Sequence, residues 1–420
     1  MKMVKRALLG GHNPSPRDEV VWNAVASTLN AGISAILVLV VTRINGENDA
    51  GIFSIAFAIS QMMQMIGFWG MRNYQSTDAE EKFNFSTYLY SRVITSGIMA
   101  IVSVVYIGMQ NYQKDKALVV VLLCLLRVSD SMNDVYEGMY QKHHRLDVGG
   151  RIWSYRVLIY TVVFTISLVL TNNLILACAL LMVTSSITLL VSVYVVKDQF
   201  ECAKIDWHDK NVYMLLKECF PLFIGSFLLV YISNAPKYAI DIQMEPKIQT
   251  YYTVLFMPCF VISLFAGFII KPLLMPLSVK WYKKEKGGFL RLSGVLLGST
   301  IGLTIGVTIV GYLIGCEVLT WIYGIDLVKY KVEFTILLIG GGFSTLSNIL
   351  QLLLTVMRKQ KLLLSIFFLA SIIAYIISPI LVKREGITGA AYAYSITVGI
   401  MMLLFGGILC FCLIRQKWDS

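Results

Sequence analysis

Four ionisable residues and a glutamine stand at helical spacing between positions 127 and 141. Arg127, Asp130, Asp134, Glu137 and Gln141 fall at i, i+3, i+7, i+10 and i+14, so all five share one helix face. The run before them, ALVVVLLCLL (117–126), is wholly apolar. Lys116 marks the outer end of that run, and Arg127 lies eleven residues further on. At a helical rise that is about 16 Å, roughly half of a ~30 Å hydrocarbon layer. An arginine at that depth costs about 2.5–3.5 kcal/mol to insert, so it needs a partner. Two partners fit. One is Asp130 or Asp134 in a structural ion pair; the other is an anionic substrate, with Arg127 as a cavity cation. The acids also have two readings. Asp130, Asp134 and Glu137 either balance Arg127 or bind H⁺ or Na⁺ for coupled transport.

Other cations extend the pattern. Arg72 falls at the inner mouth of the second apolar segment and Lys237 at the outer mouth of the seventh. Lys271 lies deeper, in a Lys-Pro pair of the eighth. With Arg127 they form a candidate cationic ladder for a phosphate or pyrophosphate head group, Arg by its bidentate fork and Lys as a point charge. Arg92 and Arg156 are expected near inner span ends, where a long side chain snorkels to water. Small polar residues form stripes on the first, seventh and tenth segments. Asn23, Asn30, Asn234, Asn348 and Gln351 are the candidates to line a polar cavity, the plainer alternative being hydrogen bonds between helices. Prolines crowd the seventh and eighth segments. Pro221, Pro236 and Pro258 are candidate gating kinks, because each removes a helix hydrogen bond.

The elements that must position these residues follow from composition. Of 420 residues, 57% are hydrophobic and 15% charged, and the mean hydropathy is +0.70. A soluble chain is about 45–50% apolar and about 25% charged, so lipid is the main solvent here. Twelve apolar segments are readable, near 20–42, 50–71, 87–109, 117–139, 151–170, 173–196, 214–237, 250–278, 290–315, 332–357, 360–382 and 387–414. The expected fold is an all-α integral membrane protein of about twelve transmembrane helices. The polar stripes sit on segments one, four, seven and ten, which suggests two six-helix bundles, 1–210 and 211–420, around a central cavity. Placing both termini in the cytoplasm puts 23 of the 36 basic residues in inner segments and 9 in outer ones, in keeping with inside-positive loops. No apolar stretch with a cleavage site precedes the first segment, which is expected to remain as an anchor.

Composition also narrows the function. The net charge of +11 is mostly inner-loop topology and implies no nucleic-acid partner. The eight cysteines make no CxxC pair and the four histidines fall in loop-like sequence, so no metal site or cofactor is expected. Walker A, GxSxG and HExxH motifs are absent and the outer loops are short. Enzymatic chemistry is disfavoured and translocation leads.

Three stretches carry a resemblance: GMRNYQSTD (70–78), RVSDSMNDVYEGMYQKHHRLDVGGR (127–151) and PLFIGSFLLVYISNAPKY (221–238). With the six-plus-six plan, the chain resembles bacterial Wzx-like polysaccharide flippases of the multidrug/oligosaccharidyl-lipid/polysaccharide exporter superfamily. The resemblance implies a MATE-like fold in the bacterial cytoplasmic membrane. It also implies flipping of undecaprenyl-pyrophosphate-linked oligosaccharide by alternating access, in O-antigen, lipopolysaccharide or capsule synthesis. Its partners would be that lipid-linked substrate and the bilayer. Many relatives have fourteen spans, so a groove formed by a last pair is not expected here. The competing readings are an ion-coupled drug or metabolite antiporter, a peptidoglycan-precursor flippase, and a membrane glycan polymerase or ligase.

Overall fold

The computed structural model describes residues 2–10, 15–78, 82–200, 206 and 209–415, and among them there is no β-strand. The chain packs into two compact units, Met1–Phe227 and Leu228–Ser420. Among the described residues, ten helices are long and apolar enough to cross a membrane. The chain is a multi-pass membrane protein.

The N-terminal unit begins with a short amphipathic helix, α1 (Lys2–Leu9). Leu8 packs into a cluster with Tyr140, Ile152 and Phe200. α2 (Pro16–Asn45) starts in a capping box: the Ser15 hydroxyl accepts from the Asp18 N–H, and the Asp18 carboxylate accepts from the Ser15 N–H at 3.0 Å. α3 (Glu47–Phe68) is the most enclosed long helix of the unit. It ends where Trp69 and Gly70 both turn left-handed, at φ 48° and 69°. That turn launches the short α4 (Met71–Thr77). α5 (Phe85–Met109) is capped by Asn84, whose side chain accepts from the Thr87 N–H at 2.8 Å. α6 (Lys114–Lys142), α7 (Leu146–Thr171) and α8 (Leu174–Val196) complete the unit's long helices. α6 packs along α3, α5 and α8. A Cβ at Gly67 would overlap the Ser131 hydroxyl, so only glycine lets α3 approach α6 this closely. α6 is 29 residues long but falls outside the ten apolar helices because of its charged face.

α9 (Asn211–Gln243) runs unbroken through Pro221 and Pro236 and passes from one unit to the other. In the C-terminal unit, α10 (Pro246–Phe256) and α11 (Cys259–Tyr282) are separated by a turn at Met257–Pro258. α12 (Lys286–Val310) continues through a π-helical turn at Gly311–Gly315 into α13 (Cys316–Tyr323). Both glycines of that turn press against the Phe334 ring of α14 (Lys331–Val356). α14 is the enclosed helix of this unit, as α3 is of the other. α15 (Gln360–Arg415) spans 56 residues but contains a break at Gly386, φ 61° and ψ −128°. A Cβ at Gly389 would overlap the Leu381 carbonyl. Eight residues of straight helix would separate those positions by about 12 Å, so the chain doubles back at Gly386. Large apolar side chains such as Ile101, Val104, Leu170 and Leu190 are exposed along the helices, as lipid-facing positions are.

Candidate functional site

The face read from α6 organises a buried charge network inside the N-terminal unit. Arg127 donates to the Asp130 carboxylate at 2.8 Å and to the Ser60 hydroxyl at 3.1 Å, with its guanidinium 4.5 Å from the Phe57 ring centroid. The same-helix pair is thus one of the two partners expected for Arg127. Asp130 is shared: Arg156, from α7, donates to its other oxygen at 2.5 Å. One turn on, Asp134 accepts from Arg92 of α5 at 2.6 Å. Arg92 also donates to the Gly67 carbonyl at 2.6 Å. Arg72, from α4, lies 3.6 Å from Asp134 and 3.4 Å from Glu137, and donates to the Gln141 side chain at 3.0 and 3.2 Å.

Arg92 and Arg156 do not snorkel. Their side chains are 0% exposed. Two aspartates one turn apart on α6 already stand inside the bundle, and a carboxylate there stabilises a buried guanidinium better than a stretch toward water does. Sequence spacing along α6 missed both partners. The signal was their presence as charges in otherwise apolar helices.

Four guanidinium groups therefore face three carboxylates. The network keeps an excess positive charge and several idle donors: Arg92 Nε, Arg127 Nη2, Arg156 Nε and Arg156 Nη1 are buried with no hydrogen-bond acceptor. Arg72 and Glu137, with side chains 22% and 21% exposed, are the open end of the network.

The 70–78 stretch builds that open end. The Gln75 amide donates to the Val135 carbonyl at 3.1 Å and docks α4 on α6. The Asp78 carboxylate accepts from the Lys82 and Phe83 N–H groups, at 2.9 and 3.2 Å, and from the Tyr88 hydroxyl at 3.0 Å. Burial pushes the Asp78 carboxyl up, but those hydrogen bonds outweigh it and hold the group below its ordinary value. The Tyr74 hydroxyl donates to Glu218, and this hydrogen bond holds the phenol above its ordinary value. Lys82 meets the same Glu218 carboxylate at 2.7 Å.

Lys237 is different. It belongs to the C-terminal unit, is 8% exposed, and sits 4.9 Å from the Phe256 ring centroid. Among the described residues the buried cations are Arg92, Arg127, Arg156 and Lys237. The three arginines have carboxylate partners; among the described residues Lys237 has none. Of the other candidates, Asn234 is buried, with its amide donating to the Val230 carbonyl at 3.0 Å. Gln351 is half-buried, and Asn23, Asn30 and Asn348 are exposed. The Lys271 side chain lies outside the described residues. Among those residues no group of three or more metal-ligating side chains occurs.

Residues 17–281 match the family described as "Polysaccharide biosynthesis protein". The chain belongs to this family. Among curated proteins, none matches it in sequence. Its fold is that of the MOP-superfamily transporters. Lipid II flippase MurJ, in an inward closed conformation, matches with a TM-score of 0.71 at 12% identity, covering 96% of this chain and 94% of that one. An inward-facing multidrug resistance MATE family transporter matches at 0.68 and 11% identity over 99% of both chains. A MOP superfamily transporter from Pyrococcus furiosus matches at 0.57 and 11% identity, over 98% of this chain and 99% of that one.

Proposed function

We propose that this family member flips an undecaprenyl-diphosphate-linked oligosaccharide across the bacterial cytoplasmic membrane by alternating access. The observation that carries this reading is Lys237. A buried ammonium without an anion is costly, and the cost is met when an anionic ligand arrives. The diphosphate of a lipid carrier supplies such an anion. In the N-terminal unit Arg72, at the open end of an arginine-rich network, and Arg127 are candidate cations, and Lys271 is a further candidate in the C-terminal unit. Asn23, Asn30 and Asn348 are exposed on largely apolar helices, where lipid penalises an amide and a water-filled path does not. The family's role in polysaccharide biosynthesis and the fold it shares with a lipid-linked-precursor flippase support the same reading.

Twelve crossings complete it. They comprise the ten apolar helices, with α15 counted twice for its reversal at Gly386, and α6, whose charges are met inside the bundle. Both termini are then cytoplasmic, and Pro221, Pro236 and Pro258 are the candidate gating positions. Asp130, Asp134 and Glu137 all carry ion pairs. That favours charge balance over H⁺ or Na⁺ coupling, and disfavours a cationic-drug antiporter, which needs acids free to meet its substrate.

The test is complementation of a bacterial strain lacking its own flippase, read by surface glycan and by lipid-linked precursor retained inside. The wild-type chain restores surface glycan. Lys237→Met abolishes restoration at normal protein level and leaves the melting temperature unchanged or raised, because no folded-state ion pair is lost. Full activity of Lys237→Met would overturn the role of this residue, and failure of the wild type across strains of different glycans would overturn the function.

A further inference from the structure

Next to Lys237, α10 carries a row of polar groups that nothing satisfies. Gln249, Tyr252, Thr253 and Phe256 fall at i, i+3, i+4 and i+7, on one face of the helix. Gln249 is 1% exposed, and neither its amide nitrogen nor its amide oxygen has a partner. The Tyr252 hydroxyl, on a residue 0% exposed, and the Thr253 hydroxyl, on one 5% exposed, are also without partners. Buried polar groups are nearly always hydrogen-bonded, and each orphan costs free energy. Four idle polar atoms within two turns, beside an ammonium with no anion, form a concentrated deficit.

The row is framed by aromatic rings. Phe256 stacks on Tyr252 with centroids 5.8 Å apart and meets Tyr394 edge-on at 4.8 Å. The Lys237 ammonium lies over the same Phe256 ring. The face thus offers a cation at one end, then two hydroxyls, then an amide that both donates and accepts, with aromatic surface between. A hydroxyl-rich ring attached to a phosphate has that order of chemistry. The row is closed to solvent, and α10 is set off from α9 by extended backbone at Glu245, φ −69° and ψ 151°. At its other end the backbone stays right-handed through Met257 and Pro258 into α11.

We propose that this face of α10 is a glycosyl subsite. Gln249, Tyr252 and Thr253 hydrogen-bond the hydroxyls of the sugar joined to the diphosphate, and Lys237 takes the adjacent phosphate. The inference rests on the flippase reading and adds to it a specificity determinant in the C-terminal unit. Because the three polar groups are idle in the folded protein, removing them should not destabilise it. A sugar site, in contrast, loses discrimination when its hydrogen-bonding groups are removed.

The experiment uses the full chain in nanodiscs. Binding of undecaprenyl diphosphate is compared with binding of the same lipid bearing a single glucose, galactose, N-acetylglucosamine or N-acetylgalactosamine. Wild type, Gln249→Leu, Tyr252→Phe and Thr253→Val are measured together with their melting temperatures. The expected result is that wild type binds at least one glycosylated form about tenfold more tightly than the bare diphosphate. Gln249→Leu and Thr253→Val remove that advantage while keeping bare-diphosphate affinity and melting temperature. If wild type binds all five lipids equally, or the variants keep the advantage, the subsite is overturned and the flippase reading stands. If wild type binds none of the five, the flippase reading falls and the subsite with it. A large drop in melting temperature in all three variants would assign the row to folding instead and overturn the proposal.

Discussion

Arg156 and Asp130 meet at 2.5 Å with both side chains buried, although they are on different helices. Asp130 also accepts from Arg127, so one carboxylate serves two buried guanidiniums. Asp130→Asn should therefore strand two charges at once. The expected loss is about 3–5 kcal/mol, the range for breaking a buried pair from one side, seen as a large fall in melting temperature and in membrane yield. Arg156→Gln combined with Asp130→Asn should cost less than the sum of the single changes, since the two residues share the interaction. A strictly additive double variant would argue against the pair.

Asp78 sets an acid limit on the α4 region. Its hydrogen bonds hold the folded-state carboxyl below its ordinary value of 3.8. A depressed carboxyl contributes stability that is present above the ordinary value and is lost as pH falls through the folded one. Thermal unfolding of wild type followed from pH 7 down should thus lose this contribution below about pH 4. Asp78→Asn should be less stable than wild type at pH 7, and the gap should narrow as pH drops through that window. A gap independent of pH would refute the assignment.

The reversal at Gly386 depends on a backbone geometry that only glycine adopts readily. Gly386→Ala should cost about 1–3 kcal/mol, the scale of a residue held in such a region. Gly407 is a control of opposite sign. It lies inside helix α15 with no heavy atom within 4 Å of a built Cβ, so Gly407→Ala should stabilise by about 0.5–1 kcal/mol. Equal effects at the two positions would count against the turn.

Much of this architecture is legible before folding. Long apolar runs demand helices because lipid offers the backbone no hydrogen-bond partner. The charged face of α6 follows from a 3.6-residue period and needs no coordinates. The Arg127–Asp130 pair is three residues apart and therefore readable. The partners of that face were not. Arg92 reaches Asp134 across 42 residues and Arg156 reaches Asp130 across 26. α9 continues through Pro221 and Pro236, while the chain reverses at Gly386.

The sequence alone determined that this chain lives in lipid, that it is helical, and that one helix carries a face of opposite charges. Those properties come from composition and local periodicity, which do not depend on what packs against what. Only the tertiary structure decided which buried charges are spent on one another and which one is left over. That is a matter of distances between helices far apart in the chain. The sequence left Arg127 open between an ion pair and an anionic substrate; the structure pairs it with Asp130 and, among the described residues, leaves Lys237 as the buried cation with an aromatic ring rather than a carboxylate beside it.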